Sequence, residues 1–284
     1  IEVELMNVND FRLSTVGGYQ YQTDTRYRSD VYSVGISSLM ILLGGTDYFD
    51  YFRNERWYGG WVATWDPLLL EARLTWQSER HRNFPEGSIE DYSLFGWHDP
   101  RRENPAIQEG LMNSVSVTLD WNTTNRLYGF AGARQFSVEL ETSRKTFGSD
   151  FNFTTVRLSG DWQFATFFQR RLFSNTLDLH FSAGISFGEV PMQKFAAVDG
   201  SRNRFTPFGV LRSRTYLPYE GTEYASLVAE HNFRSVPFEL LGLNWFAEKG
   251  WGIILFAGAG ITDVRSDYPY EVMTSDGIHL ETGI

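Results

Sequence analysis

Long stretches of this chain alternate between apolar and polar residues with a period of two. The most regular stretch runs from Tyr224 to Arg234. Successive side chains of a β-strand point to opposite faces of a sheet, so this stretch predicts a strand with one polar and one mostly apolar face. The polar face carries Tyr224, Ser226, Val228, Glu230, Asn232 and Arg234, and the apolar face carries Ala225, Leu227, Ala229, His231 and Phe233.

The same alternation recurs along most of the chain, and more weakly between Val31 and Leu39. A tight turn at Asp66-Pro67 joins two alternating segments into a hairpin with one charged and one apolar face. No segment keeps a 3.6-residue period, and no linker rich in Pro or Ser divides the chain, so the pattern predicts one all-β domain over residues 1–284. The other alternating segments are 11–21, 57–65, 70–79, 114–122, 136–141, 155–164 and 177–187.

The connections between these segments alternate in length. After the Asp66-Pro67 turn comes a long polar connection, 81–112, and later a second long one, 189–221. Shorter connections, at about 122–126 and 166–172, lie between them. Alternating lengths are typical of an up-and-down barrel that has short turns on one rim and loops on the other. We therefore expect an antiparallel β-barrel.

The length and composition of the strands indicate which solvent the apolar face meets. The alternating segments are longer than the ~5–6 residues usual in globular sheets and match the ~9–11 of a tilted membrane strand. Trp residues concentrate at the segment ends, where membrane barrels carry aromatic girdles. We expect a transmembrane β-barrel with a hydrated interior. A large soluble sandwich that binds carbohydrate through Trp and Tyr is the alternative from another class.

Charge, Cys content and hydropathy exclude or disfavour several classes of protein. The chain has a net charge of −10 and no Cys, which excludes a disulfide framework and Cys-ligated metal centres and disfavours nucleic-acid binding. Mean hydropathy is −0.31, and the longest apolar run, Leu39 to Leu43, is too short for a membrane helix. A β-barrel keeps a low mean hydropathy because half of its strand residues face a polar lumen. Mean hydropathy is therefore compatible with a soluble protein and with a membrane β-barrel.

Candidate chemistry is sparse. The five His residues form no cluster with metal-ligand spacing, and the Gly-x-Ser-x-Gly motif of a nucleophilic serine is absent. The acidic residues Asp91, Asp99, Glu103 and Glu109 fit a solvated loop better than a Ca²⁺ site. We therefore expect a protein that is not an enzyme and has neither a metal nor a cofactor.

Four segments carry a resemblance to a known family: Asp50–Glu55, Leu74–His81, Asn104–Gly110 and, most specifically, Tyr219–Arg234. They resemble the C-terminal barrel of a Bacteroidota outer-membrane family whose members carry an N-terminal carboxypeptidase-regulatory-like domain. That family is similar to the BamA/TamA-type outer-membrane assembly superfamily.

In that superfamily the sixth extracellular loop carries an Arg-Gly-aromatic motif whose Arg folds into the lumen onto an acidic strand residue. Val210 to Tyr216 occupies the corresponding position here, without the Gly. The resemblance implies that Arg212 or Arg214 pairs with Glu230. Arg234, on the same polar face as Glu230, completes the candidate group.

The resemblance also implies the architecture and the role. It implies 16 strands, of which about 11 are visible here, with N-terminal periplasmic domains outside this chain. Either the last strands also lie outside this chain or the barrel is smaller than the family suggests. It implies a protein of the bacterial outer membrane that assists insertion or translocation of outer-membrane proteins or lipoproteins. Its partners would be outer-membrane lipid, envelope protein subunits and client barrel proteins, and not nucleic acid. The alternative is a passive pore, or a structural or surface-binding barrel subunit of an envelope complex.

Overall fold

A computed structural model describes most of the chain. The described residues are 1–45, 47–85, 94, 104–123, 132, 134–167, 174–201, 206–215, 217–265, 268 and 272–284. Their strands are β1 (Glu2–Val8), β2 (Phe11–Thr25), β3 (Tyr51–Trp65), β4 (Leu70–Arg82), β5 (Gly110–Trp121), β6 (Gln135–Ser143), β7 (Asn152–Ala165), β8 (Thr176–Glu189), β9 (Ala196–Val198), β10 (Gly200–Ser201), β11 (Leu211–Thr215), β12 (Tyr219–Gly221), β13 (Glu223–Arg234), β14 (Ile253–Asp263) and β15 (His279–Gly283).

Eleven of these strands form one antiparallel sheet. Its order is β1 to β8 in sequence, followed by β13, β14 and β15. The four short strands form two separate pairs, β9 with β12 and β10 with β11. The all-β prediction is confirmed, and the sheet has the number of strands expected from the sequence. The expected closure is not seen, because within the described ranges no pairing joins β1 to β15.

In the part of the chain that the structure describes, three short α-helices interrupt the all-β pattern: α1 (Val34–Leu42), α2 (Val236–Leu240) and α3 (Asn244–Glu248). The weak alternation predicted between Val31 and Leu39 is therefore wrong. Ser33 caps α1 by accepting a hydrogen bond from the backbone N of Ile36, and the buried Ser37 hydroxyl donates to Asp47 at 2.9 Å. These local hydrogen bonds favour helix over strand here. None of the helices in the described part of the chain is long and apolar enough to cross a membrane.

The two faces of the sheet have the reverse of a soluble protein's polarity. Large apolar side chains on the outward face are exposed: Trp57, Trp61, Leu74, Trp76, Val117, Leu119, Leu140, Val156, Phe164, Phe187, Leu227, Leu255 and Ile261. Polar side chains on the inward face are buried: Asn54, Glu79, His81, Ser114, Gln135, Glu141, Thr155, Ser159, Asp178, His180, Ser182 and Ser186. A soluble sandwich buries the apolar faces of its sheets instead.

Two segments lie against the inward face. We call the described residues between β2 and β3 (26–45 and 47–50) the inner arm, and those between β8 and β13 (190–201, 206–215 and 217–222) the inner loop. The inner loop contributes buried apolar residues to three clusters, one shared with the inner arm. Polar side chains of the inner loop contact strands as far apart in the sheet as β4 and β13. The sheet therefore curls around the inner loop.

Two glycines in β14 let the inner loop come close to the sheet. A Cβ atom at Gly260 would lie 2.9 Å from Cδ1 of Leu211 and 3.0 Å from Cγ1 of Val198, and one at Gly258 would lie 3.1 Å from Leu211. A glycine inside a strand often marks a close approach of another segment, and here that segment is the inner loop. Leu211 is fully buried there, and the residue after it is the first candidate site residue.

Candidate functional site

Arg212 joins the inner loop to three neighbouring strands. Its guanidinium forms an ion pair with Glu230 on β13 and lies 4.2 Å from the centre of the Phe256 ring on β14. The backbone N–H groups of Arg212 and Ser213 each donate to the Glu281 carboxylate on β15, at 2.7 Å. β11 is thus fixed to the inward faces of β13, β14 and β15 through charge-assisted hydrogen bonds and one cation–π contact.

Arg214, the other candidate, contacts its own loop. Its Nε donates to the carbonyl oxygen of Leu217 at 2.7 Å, and its guanidinium lies 4.3 Å from the centre of the Tyr219 ring. Arg212 and Arg214 are two residues apart, yet only Arg212 has its ion pair with Glu230. The structure thus separates the two arginines between which the sequence did not choose. Tyr216, at the aromatic position of the motif, lies outside the described residues.

Arg234 lies at the far end of β13. It has a left-handed backbone conformation, with φ of 52°, and its Nε donates to the carbonyl oxygen of Ser174 at 3.0 Å. Its backbone N donates to the side chain of Asn232 at 2.9 Å. Arg234 therefore helps to shape the turns after β7 and β13 and is not brought together with Arg212.

A second anchor of the inner loop was missed by sequence reasoning. Lys194 reaches two strands: its Nζ lies 3.2 Å from Glu79 on β4 and 3.3 Å from Glu141 on β6. Burial alone would lower the pKa of Lys194, but the Glu141 and Glu79 carboxylates outweigh burial, so the pKa is raised and the ammonium stays charged. The neighbouring Gln193 lies with its Nε2 2.9 Å from Nδ1 of His81.

The inner arm is held by two ion-pair groups of its own. Arg28 pairs with Glu139 on β6, which also accepts from Arg157 on β7 at 3.0 Å. The Glu139 charge raises the pKa of Arg28. Arg157 donates as well to the carbonyl oxygen of Lys194 at 2.7 Å, which links this group to the inner loop.

The second group lies between the inner arm and β12. Arg26 is almost fully buried and contacts two buried carboxylates, an ion pair with Glu220 and one with Asp50 at 3.5 Å. Leaving either partner of such a buried group unpaired is costly, so the group fixes the arm to the loop.

Asp199 lies where the inner arm meets the inner loop. Its carboxylate accepts hydrogen bonds from the Tyr48 hydroxyl at 2.7 Å, from the Ser29 hydroxyl at 2.7 Å and from the Val31 backbone N at 3.4 Å. Burial raises the pKa of Asp199 to about 6, although the hydrogen bonds from Tyr48 and Ser29 act in the opposite direction.

A cavity of about 1070 Å³ remains between the inward face and the inner segments. It is lined by charges of both signs, among them Arg56, Arg73, Lys194, Glu71 and Asp120. Within the residues described, no three His, Asp or Glu side chains are placed to bind a metal ion. Of the acidic loop residues considered for Ca²⁺, Asp91, Asp99 and Glu103 lie outside the described residues.

Comparison with family models finds no match to this chain, and comparison with curated proteins finds none either.

Proposed function

We propose that the 11-stranded sheet is the wall of a transmembrane β-barrel in the bacterial outer membrane. The exposed apolar face supports this, because monomeric soluble proteins rarely expose contiguous apolar patches beyond a few hundred Å². Here exposed apolar side chains follow one another across β3 to β14. In hydrocarbon this face is favourable, and the polar inward face needs water or the inner loop against it.

Within that barrel, we propose that the protein assists the insertion or translocation of outer-membrane proteins or lipoproteins. The observation that carries this proposal is the contact of Arg212 with Glu230, which matches the luminal arginine of the assembly superfamily that the sequence resembles. The inner loop is held to the wall at both ends of its course, by Lys194 and by Arg212. An inner loop fixed by these ion pairs keeps the wall in shape while strands of the wall pair with an incoming strand.

The passive-pore alternative has one observation in its favour, the polar cavity of about 1070 Å³. Against it, the inner arm and the inner loop occupy the space that a solute would cross, and buried ion pairs fix both. A structure built to conduct does not need two braced segments inside its wall.

Client folding in vesicles tests the proposal. The purified chain is reconstituted into phospholipid vesicles, an unfolded small outer-membrane barrel is added, and its folding rate is followed by its band shift on unheated gels. We expect the chain to accelerate folding over empty vesicles. Arg212→Ala should reduce the acceleration because it removes the Glu230 contact, whereas Arg214→Ala is the matched control on the same strand.

The same vesicles separate the alternatives. If the chain inserts, conducts ions steadily and leaves the client's folding rate at that of empty vesicles, the passive pore is the better function. Equal acceleration by wild type and Arg212→Ala would remove the ion pair from the mechanism. A chain that stays monodisperse in buffer without detergent would contradict the membrane proposal itself.

A further inference from the structure

One part of the outward face carries positive charge. Arg53 on β3 and Arg80 and Arg82 on β4 are exposed on the same face as Trp57 and Trp61. From Trp57 towards the start of β3, the next residues on this face are Glu55 and then Arg53. The register pairs Glu55 with Arg80 and Arg53 with Arg82 on β4. We call Arg53, Arg80 and Arg82 the basic patch.

The basic patch is not neutralised within the described part of the chain. Glu55 is the acidic side chain among these cross-strand pairs, and it accepts a hydrogen bond from Tyr19 at 3.2 Å. None of the three arginines takes part in an ion pair among the described residues. Three positive charges stand against Glu55 and against Glu109, whose carboxylate accepts from the backbone N of Asn83, next to Arg82, at 2.7 Å. They leave a local excess of one, on a chain whose net charge is −10.

The pairing of Arg53 with Arg82 is unfavourable without a ligand. Residues directly opposite in an antiparallel pair have Cβ atoms about 4.5–5.5 Å apart, and like charges there destabilise the sheet. The Arg53 guanidinium lies 5.1 Å from the centre of the Phe84 ring, so it is held at the sheet surface. Arginines on directly opposite positions can both donate charge-assisted hydrogen bonds to the oxygens of one phosphate, which removes their mutual repulsion.

The exposed apolar side chains of the outward face, among them Trp61, Leu74 and Trp76, form what we call the apolar belt. Aromatic residues border the basic patch on the side of this belt. Trp57 lies two residues after Glu55, about 7 Å along the strand, and its ring centre lies 4.6 Å from that of Tyr19 on β2. Trp57 is 58% exposed and Tyr21, which pairs with Glu55, is 63% exposed. Exposed Trp and Tyr next to an apolar belt are the side chains that lie at lipid headgroups.

We propose that the basic patch binds the phosphate of an anionic membrane-lipid headgroup, in the leaflet at the rim that carries the inner loop. The lipid's phosphate lies between Arg53 and Arg82, with Arg80 beside it, and its acyl chains run along Trp57 and the apolar belt. Continuity of the patch with this belt favours a lipid over a soluble phosphate. The inference rests on the proposed membrane position of the sheet.

Quenching of Trp57 by brominated lipids tests this inference. The chain is reconstituted into phosphatidylcholine vesicles that contain brominated phosphatidylglycerol or brominated phosphatidylcholine, and the difference between wild type and Trp57→Phe isolates the Trp57 signal. We expect Trp57 to be quenched more strongly by phosphatidylglycerol. The triple variant Arg53→Gln, Arg80→Gln, Arg82→Gln should lower this preference about 10-fold or more, since each basic side chain contributes to anionic-lipid binding.

Two controls make the result specific. Arg134→Gln, Arg144→Gln, Lys249→Gln removes three exposed positive charges elsewhere and should keep the preference. Inorganic phosphate, added at the ionic strength of a chloride control, should also leave it unchanged. Loss of the preference in phosphate would show a free-phosphate site and overturn the lipid assignment.

Flotation with the vesicles separates this inference from the proposed function. If wild type floats with the vesicles and quenching shows no preference for phosphatidylglycerol, the lipid site alone is wrong. If the triple variant keeps the wild-type preference, the basic patch does not bind the lipid. If wild type does not float at all, the membrane position and the lipid site fail together.

Discussion

At the level of single side chains, Asp199 gives the fold a pH dependence with a definite sign. Burial raises its pKa to about 6 in the folded protein, against 3.8 for a free carboxyl group. Between these values the folded state holds a proton that the unfolded chain has released. The free energy of unfolding therefore falls as pH rises from about 4 to 6, by on the order of 3 kcal/mol, and this contribution is constant above that range.

The substitution Asp199→Asn isolates this contribution. The amide can still accept a hydrogen bond from Tyr48 but cannot ionise. We therefore expect the free energy of unfolding of the variant, minus that of wild type, to increase as pH rises from 4 to 6. The measurement is denaturant unfolding in detergent at several pH values, and all other titrating groups cancel in the difference. A difference independent of pH would show that folding does not raise the pKa of Asp199.

The sequence placed some of these side chains and missed others for one physical reason. Alternation assigns Glu230 to the polar face, and the motif position brings Arg212 and Arg214 into consideration. The partners of Lys194 lie 115 and 53 residues away along the chain. Such pairs depend on how the inner loop lies across the sheet, which periodicity along a strand does not encode.

At the level of strands and loops, the contact between β14 and the inner loop depends on a missing side chain. Gly260→Ala would place a methyl group 2.9 Å from Cδ1 of Leu211 and 3.0 Å from Cγ1 of Val198, and these two buried side chains would have to shift to relieve the contact. We expect the free energy of unfolding to fall by about 1–3 kcal/mol, which is typical of an overpacked core. The measurement is the temperature at which the folded band disappears on gels, compared between variant and wild type.

Ala259→Val is the matched control for this prediction. Ala259 is the preceding residue of β14 and lies on the opposite, outward face, so the larger side chain does not meet Leu211. We expect its transition to stay near that of wild type. If Gly260→Ala and Ala259→Val behave alike, the inner loop does not pack on β14 as described.

The strands themselves were largely predictable, and the loop structure was not. The alternation over 177–187 lies within β8, Thr176–Glu189, because a long strand repeats its period several times. β9 to β12 have two to five residues each, too few to show a period. α1 was misassigned because its apolar residues alternate weakly while its capping hydrogen bonds decide the conformation.

For the fold as a complete structure, alternation alone left open which face is covered. A sandwich and a membrane barrel share the same pattern along each strand, and they differ in which face is buried. In the structure the inner loop covers the polar face, since its contacts with Glu79, Glu141 and Glu230 lie there. The apolar face is left exposed, with Trp57 58% and Trp61 54% accessible.

Two neighbouring residues in β5 test this polarity directly. Val117 is exposed on the outward face between Leu74 and Leu140, whereas Thr118 lines the inner cavity. In a bilayer, Val117→Lys places a charge in hydrocarbon at a cost of about 2–4 kcal/mol. Thr118→Lys meets the water of the cavity, and Glu139, directly opposite on β6, offsets the like charge of Arg73 opposite on β4. We expect Val117→Lys to lower the folded fraction in vesicles strongly, and Thr118→Lys to fold nearly as wild type. The reverse order would mean that the apolar face is buried in protein and that the polar face meets solvent.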